Sequence, residues 1–297
     1  MRAPVAGEGP DADLKVRVVA VTHRGLVRQS NEDAFMIAGL VCQAPGGSLP
    51  VPVLTTKDLK SGSVVGPGLA LAVADGLGGH QAGEVASRVA LECLSKAEGR
   101  LQAATAAEAT ALWTEALERA HRSVLAQAAA HPEQAGMGAT LAGVHLNAAW
   151  GAVTFHAGDS RVYRFRQGIL KALTVDHSQA EMSRLDGPFG TEAPRRTSGV
   201  LKCVGSGREA LEPTVEHIAP ALHPADRYLL ATDGLSDMVS HDAIEAILAA
   251  RPDPCRAIDT LLDAALAGGG QDNVTIILAD IVAAPNAAAG KRGEEDG

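Results

Sequence analysis

The chain has 297 residues, 46% of them hydrophobic and only 3% aromatic, and a formal net charge of -9. That length suits one large domain or two small ones, the core has to be built mainly from Ala, Val and Leu, and the acidity excludes the broad basic face of a nucleic-acid binder. The four cysteines (Cys42, Cys93, Cys203, Cys255) are far apart with no Cys-x-x-Cys pair, which argues against a zinc site or a disulfide framework and for a reducing cytoplasm.

Residues 1–13 carry Pro, Gly and acids without an apolar stretch, so they read as a disordered lead-in rather than a signal peptide. Residues 16–23 alternate as a strand, 24–33 form a polar turn that delivers Arg28, Glu32 and Asp33, and 34–41 read as the returning strand of a hairpin. The Gly-, Pro- and Ser-rich stretch 42–67 reads as a loop. Residues 69–74 are a short apolar run, a buried strand that ends in Asp75-Gly76.

Residues 83–97 show a helical period through Val85, Val89, Leu91 and Leu94. Residues 105–130 form a longer helix with Leu112, Ala116, Leu117, Ala120 and Val124 on one face, closed by Pro132. Trp113 and Met137 read as packing residues. Residues 138–166 alternate like an antiparallel sheet, with a tight turn at Gln167-Gly168. A short helix is expected over 179–185, a polar flap over 186–199 and a short strand within 200–207. Strands follow at 213–218 and 226–232, helices at 241–250 and 254–267, and a last strand at 274–282. No linker or fixed repeat interrupts this order, so one domain over 14–282 is expected, with 283–297 a disordered tail. No apolar run is long enough to span a membrane.

The apolar strand ending in Asp75-Gly76 has counterparts. Tyr228-Leu-Leu-Ala-Thr-Asp233-Gly234 repeats it, Gly158-Asp159 closes another strand, Asp272-Asn273 precedes the last one, and Asp33 sits in Asn31-Glu32-Asp33. Carboxylates at strand ends beside Gly or Asn make an oxygen-only donor set, which suits a hard divalent cation such as Mg2+ or Mn2+. For any one of them, the plain alternative is a strand–turn–helix with an acidic cap.

Taken together, the motifs Gly25-Leu-Val-Arg28-x-x-Asn31-Glu32-Asp33, Asp75-Gly76-x-Gly78-Gly79-His80, Gly138-Ala139-Thr140, Gly158-Asp159-Ser160-Arg161, Asp176-His177-Ser178, Thr232-Asp233-Gly234-Leu-Ser-Asp237 and Asp272-Asn273-Val-Thr resemble, in order, those of the PPM family. These are the metal-dependent protein serine/threonine phosphatases of type 2C, here in a compact bacterial form. The resemblance spans about residues 16–282. It implies an α+β fold, a four-layer α-β-β-α sandwich of two central antiparallel sheets flanked by helix pairs.

It further implies two Mn2+ or Mg2+ ions and a third, weaker one. Asp75 would bridge the pair and Gly76 would give a backbone carbonyl. Asp233 and Asp272 would each complete one ion, Asp33 would join through water, and Asp159 would hold the third with Asp233. Glu32 and Asn273 would support these ligands from behind, and Arg28 would grip the substrate phosphate, with Arg28 and Asp75 the catalytic pair. The implied reaction is hydrolysis of phosphoserine and phosphothreonine in proteins by a metal-activated water. The implied partners are phosphoproteins and a serine/threonine kinase, with neither nucleic acid nor membrane, for a cytoplasmic monomer.

Other readings stay open on the residues alone. Arg28 can be a turn residue paired with Glu32, Asp159 a cap on Ser160 and Arg161, and Asp237 the acid of a helix N-terminus. Thr140 reads as a prop for a strand near the site, and His177 as an exposed residue more readily than a catalytic one. His23, His145 and His156 read as core or sheet-edge residues. Eukaryotic members of the family often carry Asp-Gly-His; Leu77 takes the histidine position here, as apolar residues do in bacterial relatives, which leaves the general acid open between a metal-bound water, His80 and none. The rival functions are a non-catalytic phosphoprotein-binding domain on the same fold and a two-metal hydrolase of small phosphate esters.

Overall fold

The structure, a computed structural model, describes residues 14–44, 47, 53–59, 68–78, 82–99, 105–177, 202–206 and 210–284. The expected lead-in, the helix at 179–185, the flap at 186–199, His80 and all but the first residues of the expected tail lie outside these residues. In chain order the elements are β1 (Leu14–His23), β2 (Ala34–Ile37), β3 (Leu40–Gln43), β4 (Val53–Leu59), β5 (Leu69–Ala74), β6 (Gly76–Leu77), α1 (Ala82–Glu98), α2 (Ala106–Ala130), β7 (Gly138–Ala139), β8 (Leu141–Asn147), β9 (Gly151–Ala157), β10 (Arg161–Arg166), β11 (Ile169–Ala172), β12 (Val204–Gly205), β13 (Thr214–Ala219), β14 (Arg227–Ala231), α3 (Asp233–Ser236), α4 (His241–Ala250), α5 (Pro254–Ala267) and β15 (Val274–Ala283).

The strands form a six-stranded sheet of order β11-β10-β14-β15-β1-β4, a second of order β13-β9-β8-β5-β2-β3, and a small one of order β12-β7-β6. Neighbouring strands pair antiparallel throughout. The period-two alternation of β1, β5, β14 and β15 has a direct consequence. Val16, Val18, Tyr228, Leu230, Ile277 and Ala279 from the first sheet meet Phe35, Leu69, Leu71, Val73 and Val144 from the second in one buried cluster. The alternate residues face away from that cluster. Met36, Ala70, Ala72 and Phe155 pack with the Ala, Leu and Trp113 stripe of α1 and α2. Val19, Val21, Leu229 and Leu278 pack with α4 and α5.

Three expectations are corrected. β1 and β2 are not a hairpin: β1 pairs with β15 and β4, whereas β2 turns tightly at Ala38-Gly39 onto β3 and lies in the other sheet. The loop expected over 42–67 contains β4, which lies antiparallel on β1. Leu112 is exposed, and the buried stripe of α2 runs through Ala109, Trp113, Ala116 and Ala120. The helices at 241–250 and 254–267 stand as read, and the last strand runs one residue further, to Ala283. No helix among the described residues is long and apolar enough to cross a membrane.

Candidate metal centre

Register brings the aspartates together. His23 at the end of β1 lies opposite Val274 at the start of β15, so Asp272 and Asn273 meet the 24–33 turn. Ala231 pairs with Arg161 and with Ile276, which places Thr232 and Asp233 between the Asp159 turn and the start of β15. In the second sheet Ala34 pairs with Ala74 and Leu141 with Ala157, so Asp33, Asp75 and Gly158-Asp159 leave it at one end.

The turns that carry the carboxylates are held by their neighbours. Asp75 exchanges two bonds with Thr140: its N–H donates to the Thr140 hydroxyl at 3.1 Å, and its carbonyl accepts from the Thr140 N–H at 2.9 Å. That hydroxyl also meets Ser160 Oγ at 2.7 Å, which ties the Asp75 turn to the Asp159 turn. Asp33 is fully buried, and its Oδ2 accepts from Thr232 Oγ1 at 2.9 Å. Beneath it, Thr22 and Thr275 share a 2.7 Å hydroxyl contact, and Asn31 donates to Thr22.

Asn273 Oδ1 accepts from the Glu32 N–H at 2.8 Å, and its amide nitrogen donates to the Arg24 and Ser30 carbonyls. Ser87 of α1 donates to the Glu32 carbonyl at 2.6 Å. On the rim, Arg28 Nη2 donates to Asp272 Oδ2 at 2.6 Å, so its partner is Asp272 and not Glu32. Asp237 is not at a helix N-terminus; it is the C-terminal cap of the short α3, which Asp233 opens.

The electrostatics are those of crowded anions. Burial, followed by repulsion from Asp33, Asp233, Asp272 and Asp159, raises Asp75 well above the ordinary carboxylate value. Burial chiefly raises Asp33 to about 7, Asp233 to about 8 and Asp159 to about 6. Asp33 Oδ1 and Asp233 Oδ1 are buried without a hydrogen-bond partner. An anionic oxygen in that condition is costly unless a cation compensates it. Among the described residues, no three His, Cys, Asp or Glu side chains are already closed into a metal cage. The donor set itself fits hard divalent cations: carboxylates, a backbone carbonyl at Gly76 and partnerless buried oxygens.

The sequence reading thus named the carboxylates that the fold gathers. It missed the threonine and serine hydroxyls behind them, Thr22, Thr232, Thr275, Ser87 and Ser160. Thr232 directly before Asp233 and Ser160 directly after Asp159 were the available signals. It also gave no role to Asp176, which binds Arg161 through two contacts of 2.6 and 2.8 Å.

Residues 57–267 match the family model described as Protein phosphatase 2C. The chain is 33% identical over 273 residues to the serine/threonine protein phosphatase PstP of Mycobacterium tuberculosis, covering 91% of this chain and 46% of that protein. It therefore spans about half the length of that relative. It is 30% identical over 264 residues to the serine/threonine phosphatase stp of Listeria innocua, covering 87% of this chain and 93% of that protein. A crystal structure of the PstP catalytic domain in complex with two manganese ions superposes with a TM-score of 0.69 at 30% identity, over 91% of this chain and 99% of that one. With most of its length matched by the family model and by a relative of similar size, the chain belongs to the protein phosphatase 2C family.

Proposed function

We propose that this chain is a metal-dependent protein serine/threonine phosphatase that hydrolyses phosphoserine and phosphothreonine in proteins and opposes a serine/threonine kinase. The observation that carries this reading is the gathering of Asp33, Asp75, Asp159, Asp233 and Asp272 at one edge of the paired sheets, two with orphaned buried oxygens, with Arg28 on the rim. The names of the mycobacterial and listerial relatives, and the manganese in the PstP domain, support it. One unit over 14–282, a four-layer α-β-β-α sandwich, a monomer and a reducing cytoplasmic setting complete the proposal. The three core clusters and the four free cysteines support the layers and the setting.

In this reading Asp75, the Gly76 carbonyl, Asp233 and Asp272 would hold a pair of Mn2+ or Mg2+ ions, with Asp33 beside them. Asp159 takes a third with Asp233. When bound, the ions lower the pKa of water and neutralise the phosphoryl oxygens. The chain supplies the rest. Arg28, released from Asp272, offers its fork to the phosphate. Thr140 and Ser160 fix the Asp75 and Asp159 turns relative to each other, and Asn273 fixes Glu32 and the turn that carries Arg28. Leu77 has no ionisable proton, so it does not serve as the general acid for the leaving alkoxide.

Hydrolysis of a phosphothreonine peptide tests this, measured with Mn2+, with excess EDTA and in Asp75→Asn. Metal-dependent release that disappears in the variant is expected. A wild-type protein that binds Mn2+ and the peptide but releases no phosphate would establish the binding-domain alternative instead.

A further inference from the structure

His177 is not the exposed residue its sequence context suggests. It is partly buried, and both ring nitrogens are engaged. Its Nδ1 accepts from the Gly158 N–H at 3.3 Å, and the His177 backbone N–H donates to the Gly158 carbonyl at 2.8 Å. Nδ1 is therefore the unprotonated nitrogen, and Nε2–H faces Thr214 Oγ1 at 3.1 Å. The ring stacks on His156 with centroids 4.5 Å apart, and His156 Nε2 meets the Val175 carbonyl at 2.9 Å. On the other side of the turn, Arg161 grips Asp176 through two contacts.

Apart from the one to Thr214, these contacts tie residues 175–177 to residues 156–161, and the turn between the tethers carries Asp159. Gly158 has φ +120, and a Cβ there would lie 2.7 Å from Thr140 Cβ. The turn is thus pressed against the strand that props Asp75 and held from the opposite side by the imidazole. A β-turn needs no such clamp for its own stability. A turn that must present one carboxylate at a fixed point toward a cation does, because metal affinity depends on ligand placement.

We infer that His177 is the positioning residue of Asp159: its Nδ1 fixes the Gly158 amide and thereby sets the Asp159 carboxylate for the third, weaker ion. The inference rests on the metal reading proposed above. It assigns His177 no contact with substrate.

Two amides separate the functions of the two ring nitrogens. The Oδ1 of His177→Asn stands where Nδ1 stands and can accept from Gly158. The Oε1 of His177→Gln stands near Nε2 and reaches Thr214 instead. Mn2+ binding is counted by electron paramagnetic resonance of the free ion, for wild type, Asp159→Asn, His177→Asn and His177→Gln, with folding checked by circular dichroism. Wild type is expected to bind two ions tightly and one weakly, and Asp159→Asn to lose the weak one. His177→Gln is expected to weaken that ion at least about tenfold with the tight pair unchanged, and His177→Asn to bind all as wild type does. A merely structural role for the ring would move both amides alike. Equal behaviour of the two, failure of only the Asn variant to fold or bind, or native binding by the Gln variant overturns the inference. A wild-type protein that takes up no Mn2+ overturns the metal reading as well, which distinguishes the two failures.

Discussion

Arg28 and Asp272 form an ion pair at 2.6 Å on the rim of the aspartate cluster, although they lie on opposite ends of the chain. The side chain of Arg28 remains largely exposed, so the pair contributes little to stability. Its consequence is functional. The guanidinium is parked on a carboxylate that a cation would claim, and in the function proposed above loading the centre would free it for an incoming phosphate. Arg28→Lys keeps the charge and loses the planar fork. Its kcat/KM on a phosphothreonine peptide is expected to fall about 10- to 100-fold, as for one charge-assisted hydrogen bond of about 1.5–3 kcal/mol. Steady-state kinetics at saturating Mn2+ check this, and an unchanged kcat/KM would remove Arg28 from phosphate binding.

The crowded carboxylates predict how the metal-free protein responds to pH. Asp33 and Asp233 hold their protons to about 7 and about 8, and Asp75 well above the ordinary 3.8. An acid whose folded pKa is raised binds more protons folded than unfolded, so stability falls as pH rises through that window. The histidines work in a different range. Burial lowers His156, and it holds His177 at about 4, so their effect is lost stability below 6.5. Between about pH 7.5, where an unfolded histidine is already about nine-tenths neutral, and about pH 8.5 the carboxylates dominate. In EDTA the melting temperature is expected to drop across this interval, and Mn2+ to restore more of it at the upper end than at the lower. A melting temperature that rises with pH in EDTA would contradict the crowding.

Much of this was legible beforehand because strand ends are local signals. An apolar run that stops at Asp-Gly announces both the strand and the exposed carboxylate, and Asp75 and Asp233 were found that way. The helices at 241–250 and 254–267 were equally local, with Ser240 and Asp253 capping their first turns. What was missed is non-local. That β1 and β2 lie in different sheets depends on β15, more than two hundred residues further on, as the better partner for β1. β4 was hidden because its sequence alternates too weakly among glycines and prolines. Leu112 was misplaced because it sits one position before Trp113, which takes the buried stripe of α2 with Ala109, Ala116, Leu117, Ala120 and Val124. His177 looked exposed because its partners, Gly158 and Thr214, come from other elements.

Trp113 tests the layer between α2 and the second sheet. It is fully buried, stacks on Phe155 with centroids 4.3 Å apart, and donates from Nε1 to His145 Nδ1 at 3.1 Å. Trp113→Phe removes that donor and opens a void. The expected cost is about 2–4 kcal/mol, read from urea unfolding with an unchanged m-value. His145 stands four residues along β8 from Leu141, about 13 Å from the aspartate end. Phosphatase activity at low temperature is therefore expected to survive. Loss of activity in a still-folded variant would mean that this layer positions the site.

Gly76 is the residue where packing and chemistry meet. A Cβ there would lie 2.2 Å from the Gly83 carbonyl oxygen and 2.8 Å from the Glu32 carbonyl oxygen, both backbone atoms that cannot rotate away. The absence of a side chain lets the start of α1 and the Asn31-Glu32-Asp33 turn close on the Asp75 strand end from two sides. Gly76 itself lies opposite Ala139 in the small sheet. Gly76→Ala has to push α1, the turn or the strand aside, so destabilisation of about 1–3 kcal/mol is expected in EDTA. The displaced parts carry Asp33, Asp75 and the Gly76 carbonyl itself, so the variant is also expected to gain less melting temperature than wild type from saturating Mn2+. If Gly76→Ala lost stability but gained as much from Mn2+ as wild type, the close approach would serve packing only, and the carbonyl would have no part in holding the ion.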